Sequence, residues 1–333
     1  MLSRVADSIY WMSRYVERAE NLARFVDVTF NLILDQPQNA ESQWEPLVFA
    51  TGDHDLFKER NGEANQASVI QFLVFDQDYG SSIISCLRQA RENARTIREA
   101  ISSEAWEQIN GFYHLVRSEA KKGQLTQTAP EFFDLIREQS QLFNGILDAT
   151  LEHDVGWHFA NLGRLLERAD KTSRVLDVKY YTLLPQVNDV GTTLDDLQWS
   201  SVLRSVSGFE SFRRKYHTIT VNRVVQFLIL DRYFPRAVHF CIENADASLH
   251  AISGSAPNTY QNVAEQRLGR LKSELAYADV QFLVNSGLHE FIDQLQIKLN
   301  DVATAIQETF FTLESADTSA DSREGNSQTQ YSL

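Results

Sequence analysis

Cysteine, proline and glycine are all scarce in this 333-residue sequence, and each scarcity narrows the field. Two cysteines, Cys86 and Cys241, make no disulfide framework, and so few suit a reducing compartment. Six prolines and 14 glycines are too few to punctuate the turns of an all-β protein. No apolar run reaches the roughly 18 residues of a membrane span. The opening Met-Leu-Ser-Arg-Val-Ala-Asp lacks the apolar core of a signal peptide. Basic residues number 31 against 45 acidic ones, for a formal net charge of -14. Such a field repels nucleic acid and anionic lipid, and no basic run with interleaved aromatics offsets it. The sequence therefore predicts a cytoplasmic chain that engages neither nucleic acid nor membrane. Phosphate-binding glycine loops, a His-Glu-x-x-His pattern and a Gly-x-Ser-x-Gly elbow are missing, and nothing pairs a nucleophile with an adjacent base. His153 and His158 stand five apart, which keeps them off one helix face. Neither cysteine has a histidine at ligand spacing, so no metal and no cofactor is assigned.

What is present is helical periodicity. Val5, Ile9, Met12, Val16, Ala19, Ala23, Val26, Phe30 and Ile33 alternate spacings of four and three. That is the apolar stripe of a bundle helix running from a Ser3 cap to Asp35, with Pro37 beyond it, about 45–50 Å long. Adding 150 to these numbers gives Phe159, Leu162, Leu166, Ala169, Ser173, Leu176, Tyr180 and Leu183, a second such helix ending before Pro185. The charges recur with the stripe. Arg14, Glu17, Arg18, Glu20, Arg24 and Asp27 correspond to Arg164, Glu167, Arg168, Asp170, Arg174 and Asp177.

After a short insertion near Asp189 the correspondence continues at an offset of 155: Gln43-Trp44 with Gln198-Trp199, Phe57 with Phe212, Gln71 to Asp76 with Gln226 to Asp231, and Cys86 with Cys241. Further on the offset drifts, and Glu131-Phe132 meets Glu290-Phe291. The expectation is an all-α, internally duplicated helical bundle with copies at 1–150 and 151–313 and a disordered polar tail at 314–333. Each copy reads as five or six helices: the long one, a short Trp-bearing one (Trp199 following a Thr193 cap), an apolar one ending at Asp76 or Asp231, and others beyond. The next helix is expected to start near Gly80-Ser81 or at Pro235, and the last helix of copy one at Pro130.

The charged stripe is the candidate site. Helical spacing allows Arg14–Glu17, Glu20–Arg24, Arg24–Asp27, Arg164–Glu167, Asp170–Arg174 and Arg174–Asp177 pairs. Three readings remain open: a solvated ladder worth little, a buried ion network joining the copies, or a functional polar site. In the last, Glu17, Arg18, Glu167 and Arg168 meet in one cleft, with the glutamates as candidate acid–base groups and the arginines clamping a carboxylate of an amino acid or peptide. Cys86 and Cys241 read as buried structural thiols. The basic run Arg91-Glu92-Asn93-Ala94-Arg95 with Arg98 has Asp246-Ala247-Ser248-Leu249-His250 as its counterpart, so its basic character is confined to copy one.

The segment Ile9-Tyr10-Trp11-Met12-Ser13-Arg14-Tyr15-Val16-Glu17-Arg18-Ala19-Glu20-Asn21 resembles the signature of the bacterial Alpha-E family, an alpha-helical domain with a Glu-Arg motif and no assigned activity. Phe72-Leu73 through Asp76, then Cys86, Ala90 to Arg95, Arg98 and Trp106, are similar to the family pattern as well, and the resemblance covers nearly all but the tail. Gly80 departs from it, standing where family members tend to carry proline, which bears on the rigidity of that turn. The resemblance implies a setting: genes of a circularly permuted ATP-grasp amide ligase, a transglutaminase-like cysteine peptidase and a proteasome-like peptidase. It implies as partners the ligase and the transglutaminase-like peptidase. It also makes Glu17, Arg18, Glu167 and Arg168 the namesake residues.

Overall fold

A computed structural model describes residues 1–35, 44–122, 125–182 and 193–312. Pro37, Pro185, the insertion near Asp189, the 314–333 tail, and the side chains of Ile33, Tyr180 and Leu183 lie outside the described residues. The protein is all-α, and among the described residues there is no strand. The first half runs α1 (Ser3–Asp35), α2 (Glu45–Thr51), α3 (His54–Asn61), α4 (Gln66–Ile70), α5 (Ile83–Thr96), α6 (Ser103–Lys122) and α7 (Leu125–Thr150). The second runs α8 (Val155–Thr182), α9 (Thr193–Ser205), α10 (Phe209–Lys215), α11 (Val221–Val225), α12 (Val238–Ser253), α13 (Val263–Ala276), α14 (Val280–Asn285) and α15 (Leu288–Ile306). Among the described residues, seven and eight helices thus stand where five or six were expected. The extra ones, α3, α10 and α14, have eight, seven and six residues, too short to show a period in sequence.

The apolar stripes are the core. Ile9, Met12, Val16, Ala19, Ala23 and Val26 of α1 are buried, as are Phe159, Leu162, Leu166, Ala169 and Leu176 of α8. In the first half α1, α5, α6 and α7 pack in a ring, each on the next; α8, α12, α13 and α15 do so in the second. The rings meet where α1 packs along α8. The two helices run in the same direction, since an atom added at Gly156 would meet Ile9, one at Gly163 would meet Tyr10, and Glu167 pairs with Arg14 and Arg18. The halves also clasp each other, because α2 packs on α8 and α9 packs on α1. Gly163 is the closest approach. A methyl group there would collide with the Tyr10 carbonyl oxygen and sit 3.2 Å from Cγ of Arg14.

Several boundaries differ from the sequence reading. α5 begins at Ile83 with the Ser82 hydroxyl accepting from the Ser85 amide, and α12 begins at Val238. Pro235 therefore precedes the helix instead of opening it. Helix α7 starts five residues before Pro130; a proline this close to an end removes only one helical donor. Ser3 and Thr193 are the first residues of their helices, and Trp44 sits just before α2. Both α4 and α11 widen into single π-helical turns, Gln71–Phe75 and Gln226–Leu230, which end at an aspartate. Asp76 Oδ1 accepts from the amides of Asp78 (2.8 Å) and Tyr79 (3.2 Å). Asp231 Oδ1 accepts from those of Tyr233 (2.7 Å) and Phe234 (2.9 Å). The Asp76 carboxylate thus braces the turn that leads to Gly80, where no proline stands.

Candidate functional site

The charged stripe lies in the α1–α8 seam. Glu17, Glu20 and Glu167 are fully buried, and Arg24, Asp27 and Asp170 nearly so, which removes the solvated-ladder reading. The two Glu-Arg dipeptides meet reciprocally. Arg18 grips Glu167 with Nε on Oε1 (2.6 Å) and Nη2 on Oε2 (3.1 Å). Arg168 grips Glu17 in the same way, Nε on Oε1 (2.9 Å) and Nη2 on Oε2 (2.8 Å). Such forked, charge-assisted pairs are strong and directional. Reciprocity follows from the geometry: in two parallel helices packed at matching residues, the glutamate of each faces the arginine of the other.

Each glutamate has further partners, and these differ. Glu167 also accepts from Arg14 (2.9 Å) and lies 3.6 Å from Lys171. Glu17 also accepts from Asn21 (2.9 Å) and from Arg236 (3.1 Å), which pairs with Glu20 as well. Burial alone would raise the Glu17 carboxyl, but Arg168 and Arg236 outweigh it and hold it well below the usual range. Glu167 is held down likewise against burial by Arg18, Arg14 and Lys171, and Asp170 by Lys171 and Arg174. Burial, then the like charge of Arg236, lowers Arg24 to about 10.

Of the pairs expected within each helix, Glu20–Arg24 (2.8 Å) and Asp170–Arg174 (3.0 Å) form. Arg24 goes on to the Ser205 carbonyl (3.4 Å) and Ser207 (2.7 Å), and Arg174 to the Ala50 carbonyl (3.4 Å), so each fastens the clasping segment of the opposite half. Arg14 reaches across the seam rather than to Glu17, and Arg164 bonds Asn161 (2.6 Å) rather than Glu167. Asp27 pairs with Arg137 of α7, and Asp177 with His289 of α15 (2.7 Å).

Asp177, His289 and Asp293 bring ligand-type atoms within 4.8 Å of one another, a grouping the sequence reading missed. In the first half Arg137 sits between Asp27 and Asp134, and here His289 sits between Asp177 and Asp293. Asp177 outweighs burial and raises its pKa.

Counted together, Glu17, Glu20, Glu167 and Asp170 face Arg14, Arg18, Arg24, Arg168, Lys171, Arg174 and Arg236. The seam is cationic inside an acidic chain. Next to it Arg18, Lys171, Arg174, Asp53, Tyr79 and Ser81 border a cavity of about 20 Å³, the scale of a water rather than an amino acid.

Arg236 and Lys171 went unnoticed in the sequence. Arg236 stands where the first half has Ser81, and Lys171 where it has Asn21. A charge without a counterpart in the other half, beside residues that do have one, was the available signal. Cys86 and Cys241 are buried, and burial pushes both thiols up to about 12, as inert structural thiols require. Arg91 stacks over Trp106 (5.7 Å) and Tyr113 (5.5 Å) and bonds Asn110 (2.8 Å).

Residues 1–311 match the Alpha-E family, a predicted alpha-helical domain with a conserved ER motif. The chain belongs to the Alpha-E family. The seam holds two Glu-Arg dipeptides, Glu17-Arg18 and Glu167-Arg168. Among curated proteins, Alpha-E relatives include an uncharacterised protein of Mycobacterium bovis and one of Mycobacterium tuberculosis strain CDC 1551, both 23% identical. One of strain H37Rv is 22% identical. Each alignment covers 92% of this chain but 36% of the relative, so the chain spans about a third of the relatives' length. No solved structure matches. No helix among the described residues is long and apolar enough to cross a membrane.

Proposed function

We propose that the chain is an internally duplicated, non-catalytic helical component of an amide-ligase system, whose ER motif locks the two halves into one binding body. The observation that carries the structural part is the saturation of Glu17 and Glu167. Each carboxylate is fully buried, forked by the arginine of the other half and held ionised by at least one further cation. A general acid or base needs a pKa near the working pH and access to substrate, and these two have neither. A carboxylate ligand clamped between the stripes meets a similar obstacle where Arg18, Lys171 and Arg174 border a cavity, since that cavity is about 20 Å³. Arg14, Arg18, Arg24, Arg168 and Arg174 are already committed to protein carboxylates.

The partners, an ATP-grasp ligase and a transglutaminase-like peptidase, rest on the family resemblance. The length of the relatives is compatible with this, because about two thirds of each lies beyond the aligned segment and leaves room for a fused partner. Affinity purification of the chain from its native cells, read by mass spectrometry, tests the partnership. Enrichment of an ATP-grasp ligase is the expected result; repeated purification without one overturns the partnership and leaves the lock standing. For the lock, Glu17→Gln is expected to lower the unfolding midpoint. An unchanged midpoint would return these glutamates to candidacy for chemistry.

A further inference from the structure

The second half carries a basic face that the first half lacks. From Arg204 to Arg232 six basic residues, Arg204, Arg213, Arg214, Lys215, Arg223 and Arg232, stand against two acidic ones, Glu210 and Asp231. Over the corresponding stretch of the first half, Phe49 to Gln77, five acidic residues stand against two basic ones. All six cations are exposed. The sequence reading passed over this run, because a net charge of -14 hides a local excess of the opposite sign. Arg18 and Arg168 in the seam are taken by buried carboxylates. Here Lys215 alone of the six has a carboxylate partner among the described residues, Asp231.

The core beneath holds this face in shape. Phe212 of α10 is buried with its ring centre 5.5 Å from that of Phe227, and Phe227 stacks on Phe234 (4.4 Å). With Phe212 turned inward, Arg213 and Arg214 are left on the exposed side of α10. Arg204, near the end of α9, lies over the Phe209 ring at 4.8 Å, and Arg213 lies over the same ring at 5.7 Å. One ring thus gathers guanidinium groups from two helices, a contact that leaves their charge unneutralised. The α9–α10 connection between them is fastened to α1, since Arg24 donates to Ser207 (2.7 Å). In the first half Phe49 and His54 stand at the positions of Arg204 and Phe209 and stack ring on ring (3.8 Å). Lys58 and Glu59 stand there at the positions of Arg213 and Arg214.

Like charges held side by side repel one another, and a partner of opposite charge relieves that repulsion. Exposed guanidinium groups suit carboxylates, which they bind through two parallel hydrogen bonds. Nucleic acid fits less well. Base stacking needs a bare ring, whereas Arg204 and Arg213 lie over Phe209 and Tyr216 leans on Phe212 (5.0 Å). The acidic remainder of the chain also repels a long polyanion. We propose that Arg204, Arg213 and Arg214 dock an acidic segment of a partner protein, a short run rich in Asp and Glu. The surface shares no residue with the forked pairs of the seam, and it stands whether or not the partner is the ligase.

The test is fluorescence anisotropy on the full chain with a labelled peptide of about ten residues alternating Glu and Ser. It is set against the same peptide with Gln for Glu and against single-stranded DNA of equal charge. The Glu peptide should bind with a Kd below about 100 µM in about 50 mM salt and at least about tenfold more weakly in about 200 mM. Arg204→Glu combined with Arg213→Glu should weaken it at least about tenfold in the lower salt. Arg214→Glu is the second variant, because that side chain hydrogen-bonds only Ser211 among the described residues. Its unfolding midpoint should hold while the affinity falls about threefold or more. Arg95→Glu combined with Arg98→Glu, on exposed positions near the end of α5, should leave binding within about twofold. The docking surface is overturned by no binding of the Glu peptide up to about 1 mM, by equal binding of the Gln peptide, or by tighter binding of the DNA. It is equally overturned if the Arg204, Arg213 and Arg214 variants bind like the parent, or if the Arg95 and Arg98 variant loses as much as they do.

Discussion

Between α5 and α6 of the first half lies a packed arginine, and between α12 and α13 of the second lies a cleft of about 500 Å³. In the first, Arg91 lies between Trp106 and Tyr113 and bonds Asn110. In the second, Ala264, Leu268 and Leu271 stand at the corresponding sequence positions, and the polar floor of Asp246 and His250 faces a cleft. The seam between the halves behaves in the opposite way. There the same forked pair appears on both sides, Arg18–Glu167 and Arg168–Glu17, with the same clasp from Arg24 and Arg174. The supporting groups differ: Arg236 and Asn21 about Glu17, Arg14 and Lys171 about Glu167. The two regions therefore separate two jobs. The paired motif joins the halves, and the grooves are where the halves differ in shape and charge.

That contrast can be broken from either side. Truncating one member of a buried, saturated pair strands its partners, so Glu17→Ala and Glu167→Ala should each lose about 3–5 kcal/mol in urea unfolding. A large gap between the two would mean that Arg236 and Lys171, not the forked pairs, do most of the holding. Gly163→Ala should lose about 1–3 kcal/mol, because its methyl meets the Tyr10 carbonyl. Ser13→Ala, at the matching place of the first half, adds no bulk and should change stability by less than about 0.5 kcal/mol. Arg236→Ser gives the second half the residue of the first. It leaves Glu20 to Arg24 alone and should lose about 1–3 kcal/mol.

Acid provides a graded version of the same test. Glu17, Glu167 and Asp170 have folded pKa values below their ordinary ones of 4.5, 4.5 and 3.8. Their contribution is therefore complete above pH 4.5 and is lost as pH falls toward the depressed folded values. Unfolding midpoints followed from pH 6 downward should fall steeply below about pH 4.5, and Glu17→Gln should make the fall shallower. A small loss is expected at Arg91→Ala, about 0.5–1 kcal/mol from a partly exposed cation–π contact.

The apolar stripes of α1 and α8 were legible because burial on one helix face imposes a period that survives in sequence. The residues of the seam were legible for the same reason, since the charges recur at the same offset. Their pairing was not. Spacing along one helix suggested Arg14–Glu17 and Arg164–Glu167, whereas the helix alongside supplies a nearer, better oriented partner. Arg236 was hidden because comparing the copies draws the eye to matches, and its counterpart is Ser81. The π turns at Gln71–Phe75 and Gln226–Leu230 add one residue to a turn and leave no period of their own. Asp246 and His250 were visible only as a contrast with Arg91 and Arg95, because a cleft depends on what three segments leave empty.

The most direct measurement is a double-mutant cycle on Glu17 and Arg168, using Glu17→Gln, Arg168→Met and the combination in urea unfolding. A buried lock between the halves requires a coupling of about 2 kcal/mol or more. A coupling below about 0.5 kcal/mol, the value of an exposed ion pair, would contradict it.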